Sequence, residues 1–267
     1  GLHTFLGDDP ELAALARKQG VRIWDVRRPE RPPRIATGEG RRVPNLVVHT
    51  MGSDCNSGKM TTTVALVEES KRRGIRAAFA ATGQTGILIG CDAGAPIDRI
   101  VSDFVAGASE ELVLECAAKG FDLVAVEGQG SIAHPAYSGV TIGLMHGCFP
   151  DQVVFCHVEG RTHHGGYAEP PNDFALLPLK DEIDLVDRLL APVSGGRVVA
   201  VSLVTLGLSD AEARRAIERV AAETGLPTTD PVRYGAAVLV DAILRAAPAS
   251  TKKGVRLASA LKSAASR

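Results

Sequence analysis

A strand that runs into a glycine-bounded loop, and from there through Gly-Lys into a helix, leaves few folds open to a chain. Residues 45–62, Asn-Leu-Val-Val-His-Thr-Met-Gly-Ser-Asp-Cys-Asn-Ser-Gly-Lys-Met-Thr-Thr, have that form. Each part has a mechanical reason. The glycines let the main chain fold close around an anion, and successive N–H groups then point into one nest. The first turn of the following helix adds the positive end of its dipole. Lys59 supplies a mobile cation for phosphate oxygens. The expected phosphate-binding residues are therefore Ser53, Asp54, Cys55, Asn56, Ser57, Gly58, Lys59, Met60 and Thr61.

The loop departs from the usual P-loop in two ways. Five residues separate Gly52 from Gly58, one more than the standard spacing. That length, with Gly-Ser-Asp-Cys, is similar to the Gly-Thr-Asp-Thr loop of dethiobiotin synthetases. Met60 also stands where a nucleotide hydrolase carries a magnesium-binding Ser or Thr. A thioether does not replace that hard oxygen ligand. Thr61 could shift in only across about 100° of helix rotation. The loop is thus expected to hold a phosphate ester well and to be less equipped for Mg-ATP hydrolysis. Cys55 sits inside it, where positive potential is expected to lower a thiol's pKa.

Around this unit, apolar segments alternate with helical ones. Strands are expected at 21–26, 45–50, 75–81, 121–126, 152–157 and 198–205. Helices are expected at 9–20, 59–73, 97–106, 109–119, 209–224 and 234–246, with Ser209 and Glu212 forming a capping box. This is an α/β chain of the P-loop NTPase-like kind: a mainly parallel sheet flanked by helices. With 267 residues and 45% hydrophobic content it can bury one large core. Lys and Arg total 30 against 31 Asp and Glu, and aromatic residues make up 4%. That balance argues against nucleic acid and against an anionic membrane surface. Five cysteines without a CxxC pair fit a reducing, cytoplasmic setting, and no apolar run reaches membrane-spanning length. The chain starts at Gly1, so residues upstream are expected to be missing. Residues 249–267 form a basic tail, solvated or partly helical.

In such sheets ligands lie beyond the carboxyl ends of the strands. Three polar segments fall there. In Thr82-Gly-Gln84-Thr85-Gly, Gln84 and Thr85 can hydrogen-bond a carboxylate or an amine. Asp98 lies near a helix start, and can pair with a substrate ammonium, act as a base, or cap the helix. Glu127, in Val-Glu-Gly-Gln129-Gly-Ser, ends an apolar strand. It reads as a Walker-B-like acid, as a general base of raised pKa, or as a satisfied core acid. Residues 134–139 read as a long loop forming one wall of the site. Arg161 is a candidate partner for a carboxylate or phosphate, while His163 and His164 read as part of a solvated loop without metal-ligand spacing.

Together, the P-loop string, Ala-Thr-Gly-Gln-Thr-Gly, Ile-Asp-Arg-Ile-Val-Ser-Asp-Phe and Val-Glu-Gly-Gln-Gly-Ser resemble the DgcN-type D-glutamate N-acetyltransferase family. The resemblance spans about residues 1 to 245, the opening segment and Trp24-Asp-Val-Arg-Arg-Pro included. It implies a Rossmann-like N-terminal domain followed by a P-loop domain. Residues 1–42 would then be the tail of the first domain with its linker, and residues 43–248 the second. It further implies acetyl transfer from acetyl-CoA, as co-substrate, to the amino group of a D-amino acid, foremost D-glutamate. Glu127 or Asp98 would be the base, and Gln84, Thr85, Gln129 and Arg161 would orient the substrate. The expected partners are a small amino acid and further copies of the chain in a homo-oligomer, with no nucleic acid, membrane or metal. Two rivals remain at this point: an ATP/Mg-dependent ligase or kinase of the dethiobiotin synthetase type, with Glu127 holding Mg²⁺, and a nucleotide sensor without turnover.

Overall fold

The computed structural model describes residues 4–165 and 173–247. The sheet has strands β1 (Leu46–Gly52), β2 (Ala77–Ala81), β3 (Ala93–Gly94), β4 (Leu123–Val126), β5 (Gln152–Val158), β6 (Arg197–Val204) and β7 (Thr228–Thr229). All are parallel, in the order β3-β2-β4-β1-β5-β6-β7. Parallel strands buried on both faces read as continuous apolar runs rather than as alternation. The seven residues of β1 are all buried. Its side chains divide between two layers: Leu46 and Val48 join the core under one set of helices, Val47 the core under the other.

The helices are α1 (Pro10–Gln19), α2 (Lys59–Arg72), α3 (Gln84–Ile89), α4 (Val105–Ala118), α5 (Ser138–Cys148), α6 (Leu179–Leu190), α7 (Asp210–Thr224), α8 (Pro231–Tyr234) and α9 (Ala237–Ala246). The capping box at Ser209 and Glu212 forms as the sequence requires, and Asp9 caps α1 ahead of Pro10. Other expectations need correction. Residues 21–26 form no strand: Val21 and Trp24 are exposed, and no neighbouring strand offers a ladder. Residues 97–106 are two short 3₁₀ turns separated by extended chain at Ile100 and Val101, and α4 begins only at Val105. The helix expected over 234–246 breaks at Gly235, whose φ of 78° is left-handed. The segment read as a loop from 134 onward winds into α5 at Ser138. The basic tail at 249–267 lies outside the described residues.

Three helices, α3, α5 and α6, lie wholly outside the expected helical segments. In α5, Gly139, Gly143 and Gly147 lower helix propensity and hide the pattern. Two of them, Gly143 and Gly147, serve packing. A Cβ on Gly143 would lie 2.6 Å from Val105 Cγ1, and one on Gly147 would overlap the backbone of Ala106, so bare backbone is what lets α5 pack against α4. Helix α6 did carry a legible signal: Leu179, Ile183, Val186 and Leu190 recur at helical spacing and are all buried.

Candidate active site

The loop between β1 and α2 turns through Asn56 (φ 50°) and Gly58 (φ 87°), both left-handed. Its far end opens into a cavity of about 610 Å³. Residues 55–61 form one wall, 83–85 and 127–130 the other, and Arg27 and Asp98 close an end. The cavity therefore joins the P-loop to all three polar segments singled out from the sequence. Cys55 to Thr61, Gln84, Thr85, Asp98, Glu127 and Gln129 all line it. A separate groove of about 270 Å³, between residues 24–34 and 94–111, shares no lining residue with it and holds no part of the P-loop.

Lys59 is buried in the loop. Its Nζ donates to Asp54 O at 2.6 Å and to Ser57 Oγ at 3.3 Å. Desolvation lowers its pKa, opposed by the thiols of Cys156 and Cys55 and the carboxylates of Asp54 and Glu182. An ammonium kept from water and facing a lined cavity gains strongly when an anion enters.

Glu127 extends from the end of β4, 7% exposed. One oxygen, Oε2, accepts from Thr82 N at 2.9 Å and Gly83 N at 3.2 Å. The other, Oε1, accepts no hydrogen bond from a described residue. Burial raises the carboxyl's pKa, against the pull of the two amides and of Lys59. Gln129 is held in place by its own amide, which donates to Thr82 O at 2.6 Å. Asp98 forms an ion pair with Arg27, a contact the sequence reading did not contain.

Three of the candidates do not reach the cavity. Ser53 turns to His157, Oγ to Nδ1 at 2.8 Å. Asp54 is fully buried and braces the loop from behind. It accepts from Gly165 N at 2.8 Å, Arg161 Nη1 at 3.0 Å and His164 Nδ1 at 3.2 Å. Burial would raise its carboxyl, but the bonds from Gly165, His164 and Cys55 and the charge of Arg161 outweigh it and hold it below the usual range. Arg161 Nη1 donates to Asp54 and to Cys55 O at 2.6 Å, which ties the loop down, and the residue is not among those lining the cavity. His164 likewise is no solvated loop residue: it is buried against Asp54, while His163 is exposed. The expected activation of Cys55 is reversed as well. Burial raises its thiol, outweighing Lys59 and Arg161.

Asp54, Cys55 and His134 offer donor atoms within 4.8 Å of one another. Tautomer chemistry argues against a cation there. His134 Nδ1 accepts from Ala136 N at 3.1 Å, so Nε2 carries the proton, and it lies 3.1 Å from Gly165 O as donor. A protonated ring nitrogen cannot ligate a metal, and Arg161 already supplies the positive charge Asp54 needs.

Residues 34–240 match a family described as a domain of unknown function, P-loop domain (DUF1611_C), and residues 1–29 match its Rossmann-like N-terminal domain (DUF1611_N). The chain belongs to this family. Among its relatives, a D-glutamate N-acetyltransferase of Tritonibacter scottomollicae is 42% identical over 245 residues, spanning 91% of this chain and 71% of that protein. A D-glutamate N-acetyltransferase of Pseudoalteromonas sp is 36% identical over 235 residues, spanning 88% and 68%. The crystal structure of a DUF1611 family protein from Anabaena variabilis superposes with a TM-score of 0.85 at 40% identity, covering 92% of this chain and 70% of that one. No described helix is long and apolar enough to cross a membrane.

Behind the family's P-loop lies an acid that no motif announced. Glu182, on α6, is fully buried; its Oε1 accepts from Ser131 Oγ at 2.8 Å and its Oε2 has no hydrogen-bond partner among the described residues. Burial pushes the carboxyl up to about 7, with Ser131 opposing, Asp54 adding and Lys59 opposing. A carboxyl raised in the folded state stabilises the fold fully below its ordinary value, and that stability is lost as pH climbs through the raised one. Glu182→Gln keeps the acceptor for Ser131 and removes the titration. Between pH 5 and 8 the wild-type unfolding free energy should fall relative to the variant's by on the order of 2–3 kcal/mol. Denaturant titrations at both pH values read this directly, and parallel pH profiles would contradict it.

Proposed function

We propose that the chain transfers the acetyl group of acetyl-CoA to the amino group of D-glutamate. The reading is carried by one cavity that holds both the P-loop and a buried carboxyl with an uncommitted oxygen, in a chain whose named relatives are D-glutamate N-acetyltransferases. The P-loop N–H groups and Lys59 would hold the phosphates of CoA. Met60 costs this reaction nothing, because no magnesium hydroxyl is required of it.

Transfer needs a neutral amine. Glu127 Oε1 accepts a proton from the substrate nitrogen as that nitrogen bonds to the thioester carbonyl carbon. The carbon–sulfur bond then breaks, and Glu127 passes that proton to the departing CoA thiolate. Glu127 fits this role better than Asp98, whose charge is already matched by Arg27. Gln84 and Thr85, both in the cavity wall, orient the amino acid. The five cysteines are free thiols, in keeping with a reducing cytoplasm where acetyl-CoA is made and used.

Free-thiol release from acetyl-CoA tests the reading. D-glutamate should elicit release, L-glutamate should not, and a chelator should leave the rate unchanged. ATP consumption that requires Mg²⁺, with no thiol released, would replace the acetyltransferase by the ligase or kinase. Tight binding of a nucleotide without turnover of either donor would favour the sensor.

A further inference from the structure

We propose that Arg27 receives a carboxylate of the amino-acid substrate, with Asp98 holding its guanidinium in the wall of the P-loop cavity. The inference rests on the acetyl-transfer reading and adds to it the group that recognises an acidic substrate.

D-glutamate brings two carboxylates and one amine. Among the described residues that line the cavity, two carry basic side chains, Lys59 and Arg27. Lys59 belongs to the P-loop nest and turns inward onto Asp54 O and Ser57 Oγ, where a donor phosphate is expected. Arg161, the obvious candidate from the sequence, is not among the residues that line the cavity, and its Nη1 is bonded to Asp54 and to the Cys55 carbonyl. A substrate carboxylate is therefore left with Arg27.

The setting of Arg27 suits that task. Its side chain is 11% exposed, and that of its partner Asp98 30%. An arginine presents five donors in a planar fork, so one edge can pair with Asp98 while another meets a carboxylate. A matched ion pair also stays inexpensive to keep in a half-buried wall when no substrate is bound, whereas a lone guanidinium would not. Gln84 and Thr85 stand beside it, and the same three residues bound a second cavity of about 340 Å³ whose other walls include Phe5, Trp24 and Leu88. Arg27 thus belongs to a partition between two cavities, with apolar groups behind it. The residue comes from the stretch that matches the family's Rossmann-like domain, so the proposed substrate end of the site is supplied by residues ahead of the P-loop domain.

Steady-state kinetics on the full chain test the proposal. Arg27→Met should raise the KM for D-glutamate about 10- to 100-fold, while the KM for acetyl-CoA changes by less than about twofold. Arg27→Lys, which keeps the charge but not the fork, should fall between the two and guards against a misfolded methionine variant. If Arg27 served only to neutralise Asp98, the double variant Arg27→Met/Asp98→Asn would restore the wild-type KM. The proposal requires that it stay impaired, and a restored KM overturns it, as does an unchanged KM in Arg27→Met. D-glutamine separates the two carboxylates: equal loss on D-glutamate and D-glutamine assigns Arg27 to the α-carboxylate, and loss on D-glutamate alone to the side-chain carboxylate. A wild-type chain that releases no thiol fails the functional reading itself, a result distinct from active wild type with an indifferent Arg27.

Discussion

Glu127→Gln should lower kcat about 10²- to 10⁴-fold, the range lost when a positioned general base is removed. The affinity for acetyl-CoA should hardly move. The reason is the division of labour between the two carboxylate oxygens. Oε2 is fixed by the amides of Thr82 and Gly83, and a glutamine carbonyl can accept the same two bonds. What is lost is Oε1, which a glutamine replaces with an NH₂ group that has no lone pair to take a proton. The P-loop wall, residues 55–61, is untouched by the exchange. The pH profile gives a second, independent readout. Burial raises the Glu127 carboxyl above its ordinary value. A base acts only when ionised, so activity should rise with pH through a limb that lies above the usual carboxylate range. In the variant that limb should vanish. A variant that turns over at the wild-type rate would remove Glu127 from the chemistry and return attention to Asp98.

The sequence made the phosphate loop legible because each of its requirements is local. A buried strand, a glycine turn and a helix start are all spelled within residues 45–62. The same holds for the capping box at Ser209, which depends on two side chains three positions apart. What escaped depends on partners distant in the chain. Nothing near Asp54 says that it will face Arg161 and His164, more than a hundred residues on, instead of a ligand. Charge proximity in sequence suggested an activated Cys55, but burial, which sequence does not state, decides the thiol's pKa in the opposite direction. Arg27 sat in the stretch read as a linker after a strand, so its pairing with Asp98 at the end of the cavity had no local sign. Glu182 was hidden for a plainer reason: the helix that carries it was not recognised, although Leu179, Ile183, Val186 and Leu190 spelled out its buried face.

Gly128→Ala should be among the most damaging single substitutions in the molecule, although it adds one methyl group. The glycine follows Glu127 where β4 leaves the sheet beside β1. Its N–H donates to Thr50 Oγ1 at 3.1 Å. A Cβ here would overlap the carbonyl oxygen of Thr50 and lie 3.1 Å from Cδ of Lys59. The lysine stem could yield a little, but the carbonyl belongs to the central strand and cannot swing away without moving β1. Relief requires parting the ends of β1 and β4, and overpacking of that kind costs about 1–3 kcal/mol, more when backbone meets backbone. The displacement also separates Glu127 from the P-loop lysine, and a misplacement of about 1 Å can cost on the order of 10²-fold in rate. Folded Gly128→Ala protein should therefore be slow as well as unstable. Gly139→Ala provides the contrast within the same experiment. That position lies in the first turn of α5 with nothing within 4 Å of an added Cβ, so alanine there should be neutral or stabilise by up to about 1 kcal/mol. If the two variants melted alike, close backbone approach would not be what glycine serves at position 128, and Glu127 would be held in place by the Thr82 and Gly83 amides without help from that contact.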